Sequence, residues 1–291
     1  MFKLVTGPTI PKPASRFNPA VLIKQHPVAA YVVLAYALSW VIALPLAAVA
    51  QGLLSVALPF WLHYLTAYGP LLAALIVTRI VDGSVGVRSL VGRMLKWRIG
   101  LGWLLFAAFS PVALYALIAL VVVAFGGAPP NLRELGTVNF LPHLGLAAWL
   151  LWILTNGVGE ETGWRGFALP RLQQHHNAFV ATLILGLVWA LWHVPFFFYL
   201  PNFRTIGLVG FPGFALGVVS GALVLTWLYN STKGSLLAAS VWHGAFNFIT
   251  ASEAGKGTVA IVMSIVVMVW AVLIVILFKP ANLAPVQRQT A

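Results

Sequence analysis

The chain has 291 residues, of which 61% are hydrophobic and 8% charged, against about 25% charged in an average soluble domain. Seventeen Lys and Arg stand against five Asp and Glu, a net charge of +12. So few charges cannot cover a soluble globule of this size, which excludes a water-soluble enzyme and points to a polytopic membrane protein. The chain has no cysteine, so disulfides, thiolate metal ligands and a cysteine nucleophile are excluded.

Residues 1–26 carry Lys3, Lys12, Arg16 and Lys24 and no acid. They read as a retained cytoplasmic tail rather than a signal peptide. A membrane span needs about 20 apolar residues. Charge-free runs of that kind lie at 27–49, 55–78, 102–125, 140–161, 177–199, 206–229, 235–252 and 258–278, the fourth ending on Glu160 and Glu161. The first two form one unbroken stretch, divided at Ala50-Gln51-Gly52. The runs are continuous rather than alternating, so helices are predicted and strands are not. The expected fold is all-α, with about eight transmembrane helices in a single domain over 27–278 and a cytoplasmic tail at 279–291.

The cations set the orientation. Lys3, Lys12, Arg16, Lys24, Arg79, Arg88, Arg93, Lys96, Arg98, Arg165, Arg171, Lys233, Lys279 and Arg288 fall on one side, and Arg133, Arg204 and Lys256 on the other. The positive-inside rule then predicts both termini cytoplasmic. It also explains the basic balance without nucleic acid as a partner. Between the second and third runs, Val87, Leu90, Val91, Met94 and Leu95 share one helical face, flanked by Arg88, Arg93, Lys96 and Arg98. With Trp97 beside them, they predict a short amphipathic helix on the cytoplasmic surface.

The acids are Asp82, Glu134, Glu160, Glu161 and Glu253. Ionisable groups at membrane depth are costly, and mark function by default. In Gly159-Glu160-Glu161-Thr162-Gly163-Trp164-Arg165, adjacent glutamates point about 100° apart on a helix. Glu161 and Arg165 can pair at i, i+4, which leaves Glu160 for a different direction. A desolvated carboxyl there can act as a general base near neutral pH. Two further clusters are Trp189-Ala-Leu-Trp192-His193-Val194-Pro195 and Trp242-His243-Gly244-Ala245-Phe246-Asn247. Pro195 can bend the helix or free its carbonyls. His243 and Asn247 share a face.

One carboxylate, two imidazoles and a carboxamide suit water activation with or without a metal. Glu160 and His193 would activate water while His243 and Asn247 hold an oxyanion. Glu160, His193 and His243 could instead ligate zinc. Other hydrolase chemistries fit poorly. An aspartyl dyad lacks its second Asp, no His-Glu pair supports a zincin, and Ser220-Gly221 has the wrong spacing for a rhomboid-type G-x-S-G. No phosphate loop is present.

The three clusters together resemble the CPBP family, the CAAX-type prenyl endopeptidases and bacteriocin-processing or immunity proteins also called Abi. Glu160-Glu161-x-x-x-Arg165 is similar to its E-E-x-x-x-R motif, Trp189-x-x-x-His193 to F-x-x-x-H, and His243-x-x-x-Asn247 to H-x-x-x-N/D. The resemblance covers about 60–250, and Trp189 replaces a Phe in what reads as a conservative exchange. It implies a glutamate-dependent intramembrane endopeptidase acting on a peptide or protein in a lipid bilayer, in the plasma membrane if the source is bacterial. By position, Glu160 would be the base, His193 its assistant, His243 and Asn247 the oxyanion site, and Glu161 and Arg165 supports. The family has been classed as metallopeptidase, so the cofactor is zinc or none. Two other readings stay open: a non-catalytic immunity or scaffold protein, and a small-solute transporter, which would call for internal repeats.

Overall fold

A computed structural model describes residues 18–138 and 144–291. Lys3, Lys12, Arg16 and the start of the fourth apolar run lie outside the described residues. The helices, in chain order, are α1 (Pro19–Gln25), α2 (Pro27–Ala50), α3 (Phe60–Val81) and α4 (Gly83–Met94). They continue as α5 (Leu101–Ala124), α6 (147–175), α7 (Ala178–Trp192), α8 (Phe211–Ser231), α9 (Leu236–Ala251) and α10 (Thr258–Asn282). No strand occurs among the described residues. The protein is an all-α polytopic membrane protein.

Among the described residues, six segments are long and apolar enough to cross a membrane: α2, α3, α5, α10, Ala178–Phe198 and Leu208–Ser231. The seventh predicted run is the shorter apolar helix α9. The fourth continues past its predicted end through both glutamates to His175. The second helix begins at Phe60 rather than at 55. Pro59 sits at its N-cap position, and a proline disfavours helical backbone in the residue before it. Near Pro195, α7 ends at Trp192 and the chain tightens into a 3-10 turn over Val194–Phe198. Side-chain caps start two helices: Asn177 accepts from the Val180 amide at 2.8 Å, and Ser235 from the Ala238 amide at 3.2 Å.

Helix α4 occupies the predicted amphipathic segment. It turns only part of its apolar stripe inward: Leu90 is buried, whereas Val91 and Leu95 are exposed. Arg93 Nη1 donates to the Tyr229 hydroxyl at 2.8 Å, and Lys96 Nζ to the Lys233 carbonyl at 2.7 Å. Asp82, just before α4, pairs with Arg171 of α6.

Helix α6 runs through the middle of the molecule, pressed against α3 and α9. Small residues make this possible, as is usual where helices pack in lipid. A Cβ on Gly159 would stand 2.6 Å from the Ala67 carbonyl oxygen of α3. One on Gly244 of α9 would stand 2.6 Å from the Ile153 Cα of α6. Any side chain at either position would push these helices apart.

Candidate active site

Three helices supply the site, and α6 bends its geometry most. Ile153–Glu160 and Trp164–Ala168 are wound as π-helix, separated by one α-helical turn. Such wide turns are rare and concentrate at functional sites. Gly157 and Gly159, weak helix formers, sit within the first of them. The wide turn keeps residues four apart on one side, so Trp152, Asn156 and Glu160 all line the same cavity. Glu161 points away from it into the protein and is fully buried.

The cavity has a volume of about 600 Å³. Glu160 from α6, His193 from the end of α7, and His243 and Asn247 from α9 all line it. Its remaining wall is largely apolar, with Trp152, Phe196, Phe203, Phe214 and Leu225 among its residues.

Hydrogen bonds fix each polar group. Glu160 Oε2 accepts from the Trp189 indole Nε1 at 2.8 Å. His193 Nδ1 lies 2.7 Å from the Trp189 carbonyl oxygen. A carbonyl only accepts, so Nδ1 carries the proton and a neutral ring keeps a lone pair on Nε2. The His193 ring is packed by Trp192 at 4.9 Å and Phe214 at 5.2 Å between ring centres.

Glu161 forms the second layer. Its Oε1 accepts from Arg165 Nη1 at 2.9 Å and stands 2.8 Å from His243 Nδ1. Arg165 is fully buried, and its guanidinium lies 4.5 Å from the centre of the Trp189 ring. The His243 ring meets the same indole at 5.3 Å, nearly perpendicular. Trp189 therefore touches Glu160, Arg165, His193 and His243.

The carboxamide of Asn247 has no hydrogen-bond partner among the described residues and is free to meet a ligand. Two cavity residues escaped the sequence reading. His63 of α3 has its Nδ1 2.8 Å from the Tyr199 hydroxyl, and Asn156 stands one turn before Glu160. Each is a polar residue inside an apolar run, the same signal that marked His193. Neither belongs to one of the three motifs, although Asn156 stands at i, i−4 from Glu160, a spacing that could have pointed to it.

Zinc was the open cofactor question. Among the described residues, no three His, Asp or Glu side chains come close enough to hold a metal ion. Glu160, His193 and His243 share the cavity without forming a ligand set, so the donors do not fit zinc.

Residues 142–249 match the family described as type II CAAX prenyl endopeptidase Rce1-like. The matched stretch contains all three clusters. A CAAX prenyl protease 2 of Methanococcus maripaludis is similar to this chain, 27% identical over 143 residues. That alignment covers 46% of this chain and 51% of the relative. The chain thus spans about half the length of the curated relative it matches.

Proposed function

We propose that this chain, whose residues 142–249 match the Rce1-like type II CAAX prenyl endopeptidase family and which is similar to a CAAX prenyl protease 2, is an intramembrane endopeptidase of the CPBP/CAAX protease family. It hydrolyses peptide bonds with water activated by Glu160 and His193. The single observation that carries the reading is the convergence of Glu160, His193, His243 and Asn247 on one cavity of about 600 Å³.

The chemistry follows from the hydrogen bonds. A water bound between Glu160 and His193 Nε2 gives a proton to the carboxylate as its oxygen attacks the peptide carbonyl carbon. The new C–O bond forms while the carbonyl π electrons move onto oxygen. Asn247 Nδ2 and His243 Nε2 donate to that oxyanion. His243 Nδ1 already donates to Glu161, so donation from Nε2 as well requires a doubly protonated ring. Glu161 Oε1 lies between that ring and Arg165 and accepts from both. The proton held by Glu160 then passes to the leaving nitrogen, the C–N bond breaks, and a carboxylic acid and an amine result. No step runs through a metal.

The apolar wall of the cavity suits a hydrophobic peptide segment. The family and its archaeal relative make prenylated CAAX proteins the substrate class to test first. The cation distribution supports cytoplasmic termini and a cavity reached from the cytoplasm, in a plasma membrane for a bacterial source.

The test uses the full chain purified in detergent, incubated with a peptide library, with cuts mapped by mass spectrometry with and without chelator. Defined cuts by the wild type, insensitive to chelator and absent in Glu160→Ala, support the reading. No cuts at all, together with cellular protection that survives Glu160→Ala, would favour a non-catalytic immunity or scaffold protein.

A further inference from the structure

Trp189 contacts four ionisable groups of the site: Glu160, Arg165, His193 and His243. Its indole N–H donates to Glu160 Oε2 at 2.8 Å, its carbonyl oxygen holds His193 Nδ1 at 2.7 Å, and its ring lies under Arg165. Trp189 is 6% exposed and lines the cavity beside Glu160, so its N–H is a donor held in place by packing. We infer that Trp189 is a positioning residue for Glu160, which pins Oε2 through its N–H and leaves Oε1 turned to the water and substrate. This inference rests on the peptidase reading above.

Several features support it. A free carboxylate rotates broadly about its last torsion. One fixed donor holds its plane, with one oxygen on the indole and the other left for water. Glu160 Oε1 has no hydrogen-bond partner among the described residues, whereas Oε2 has the indole. The indole is itself fixed from three sides. Arg165 stands over its ring at 4.5 Å, His243 meets it edge-on at 5.3 Å, and His193 packs at 5.9 Å. A phenylalanine here would keep the ring contacts with Arg165 and His243 and the backbone bond to His193. It would lose the N–H together with the fused second ring, so benzothienylalanine, which keeps the bicyclic shape, is the replacement that removes the N–H alone. The Trp-for-Phe difference read from the sequence as conservative is therefore a chemical change at the catalytic carboxylate.

The test is Trp189→Phe in the full chain, reconstituted and assayed on a substrate that the wild type cuts. Losing a hydrogen bond to a charged group lowers kcat by about ten- to a hundredfold, with a much smaller change in KM, since Trp189 is one of many residues lining the cavity. A variant that keeps kcat within about twofold, or loses activity through KM alone, overturns the inference. Should Trp189→Phe fold poorly, benzothienylalanine at position 189 preserves the bicyclic shape and removes the N–H, and the same kcat loss is expected. A second arm does not depend on activity. Thermal unfolding of Trp189→Phe, Glu160→Ala and the double variant should show non-additive losses, as expected for directly bonded side chains. Additive losses would overturn the bond. An inactive wild type with non-additive unfolding would sink the peptidase reading while leaving the bond in place.

Discussion

His243 Nδ1 stands 2.8 Å from Glu161 Oε1, which ties a cavity-facing imidazole to a carboxylate that does not reach the cavity. The same oxygen takes Arg165 Nη1 at 2.9 Å. Glu161 and Arg165 are both fully buried, and removing one partner of such a pair leaves the other charge uncompensated. Arg165→Met should therefore destabilise the protein by about 3–5 kcal/mol. A lowered thermal midpoint in detergent is the expected readout, and an unchanged midpoint would count against the pair.

His193 is placed to accept a proton or a water hydrogen at Nε2, because its Nδ1 is committed to the Trp189 carbonyl. Replacing it with Gln should lower kcat by about 10²–10⁴-fold, the usual contribution of a positioned acid–base group. Gln keeps a polar side chain in place of a ring packed by Trp192 and Phe214, so the variant should lose some stability yet remain folded. Steady-state kinetics on a defined peptide measure the first effect and thermal unfolding the second.

Asn247 faces the cavity one turn beyond His243 and has no described hydrogen-bond partner. A donor held for a transition state contributes to kcat and little to substrate binding. Asn247→Ala should cost about 10²–10³-fold in kcat, with KM nearly constant. A rise in KM at constant kcat would assign Asn247 to substrate binding.

Gly244 holds α9 against α6, where an added Cβ would stand 2.6 Å from the Ile153 Cα. Backbone cannot give way as a flexible side chain can. Gly244→Ala should cost about 1–3 kcal/mol by overpacking and should also reduce activity, since it moves His243 away from Glu161. Unfolding midpoints and turnover, measured on the same preparation, check both.

The helices were legible because charge-free apolar runs have few alternatives in lipid. Pro59 was a visible stop signal that the second run passed over. The three polar clusters stood out against an apolar background, and the structure brings four of their side chains to one cavity. The π-helical turns of α6 were not legible. They lie where Ala67 of α3 and Ser240 of α9 come up against Gly159 and Gly157 of α6, a tertiary approach that no local pattern encodes. The indole bond to Glu160 was missed for a related reason. Residue type shows that Trp189 has a donor, but only the packing of Arg165 and His243 against its ring decides where that donor points.

The central claim is that Glu160 activates water to hydrolyse a peptide bond. The most direct measurement runs purified wild type and Glu160→Gln on one peptide substrate in ¹⁸O-labelled water, with products read by mass spectrometry. Wild type should yield a new C-terminal carboxylate carrying one labelled oxygen, and Glu160→Gln, equally folded, should yield none. Cleavage by Glu160→Gln at the wild-type rate would contradict the account.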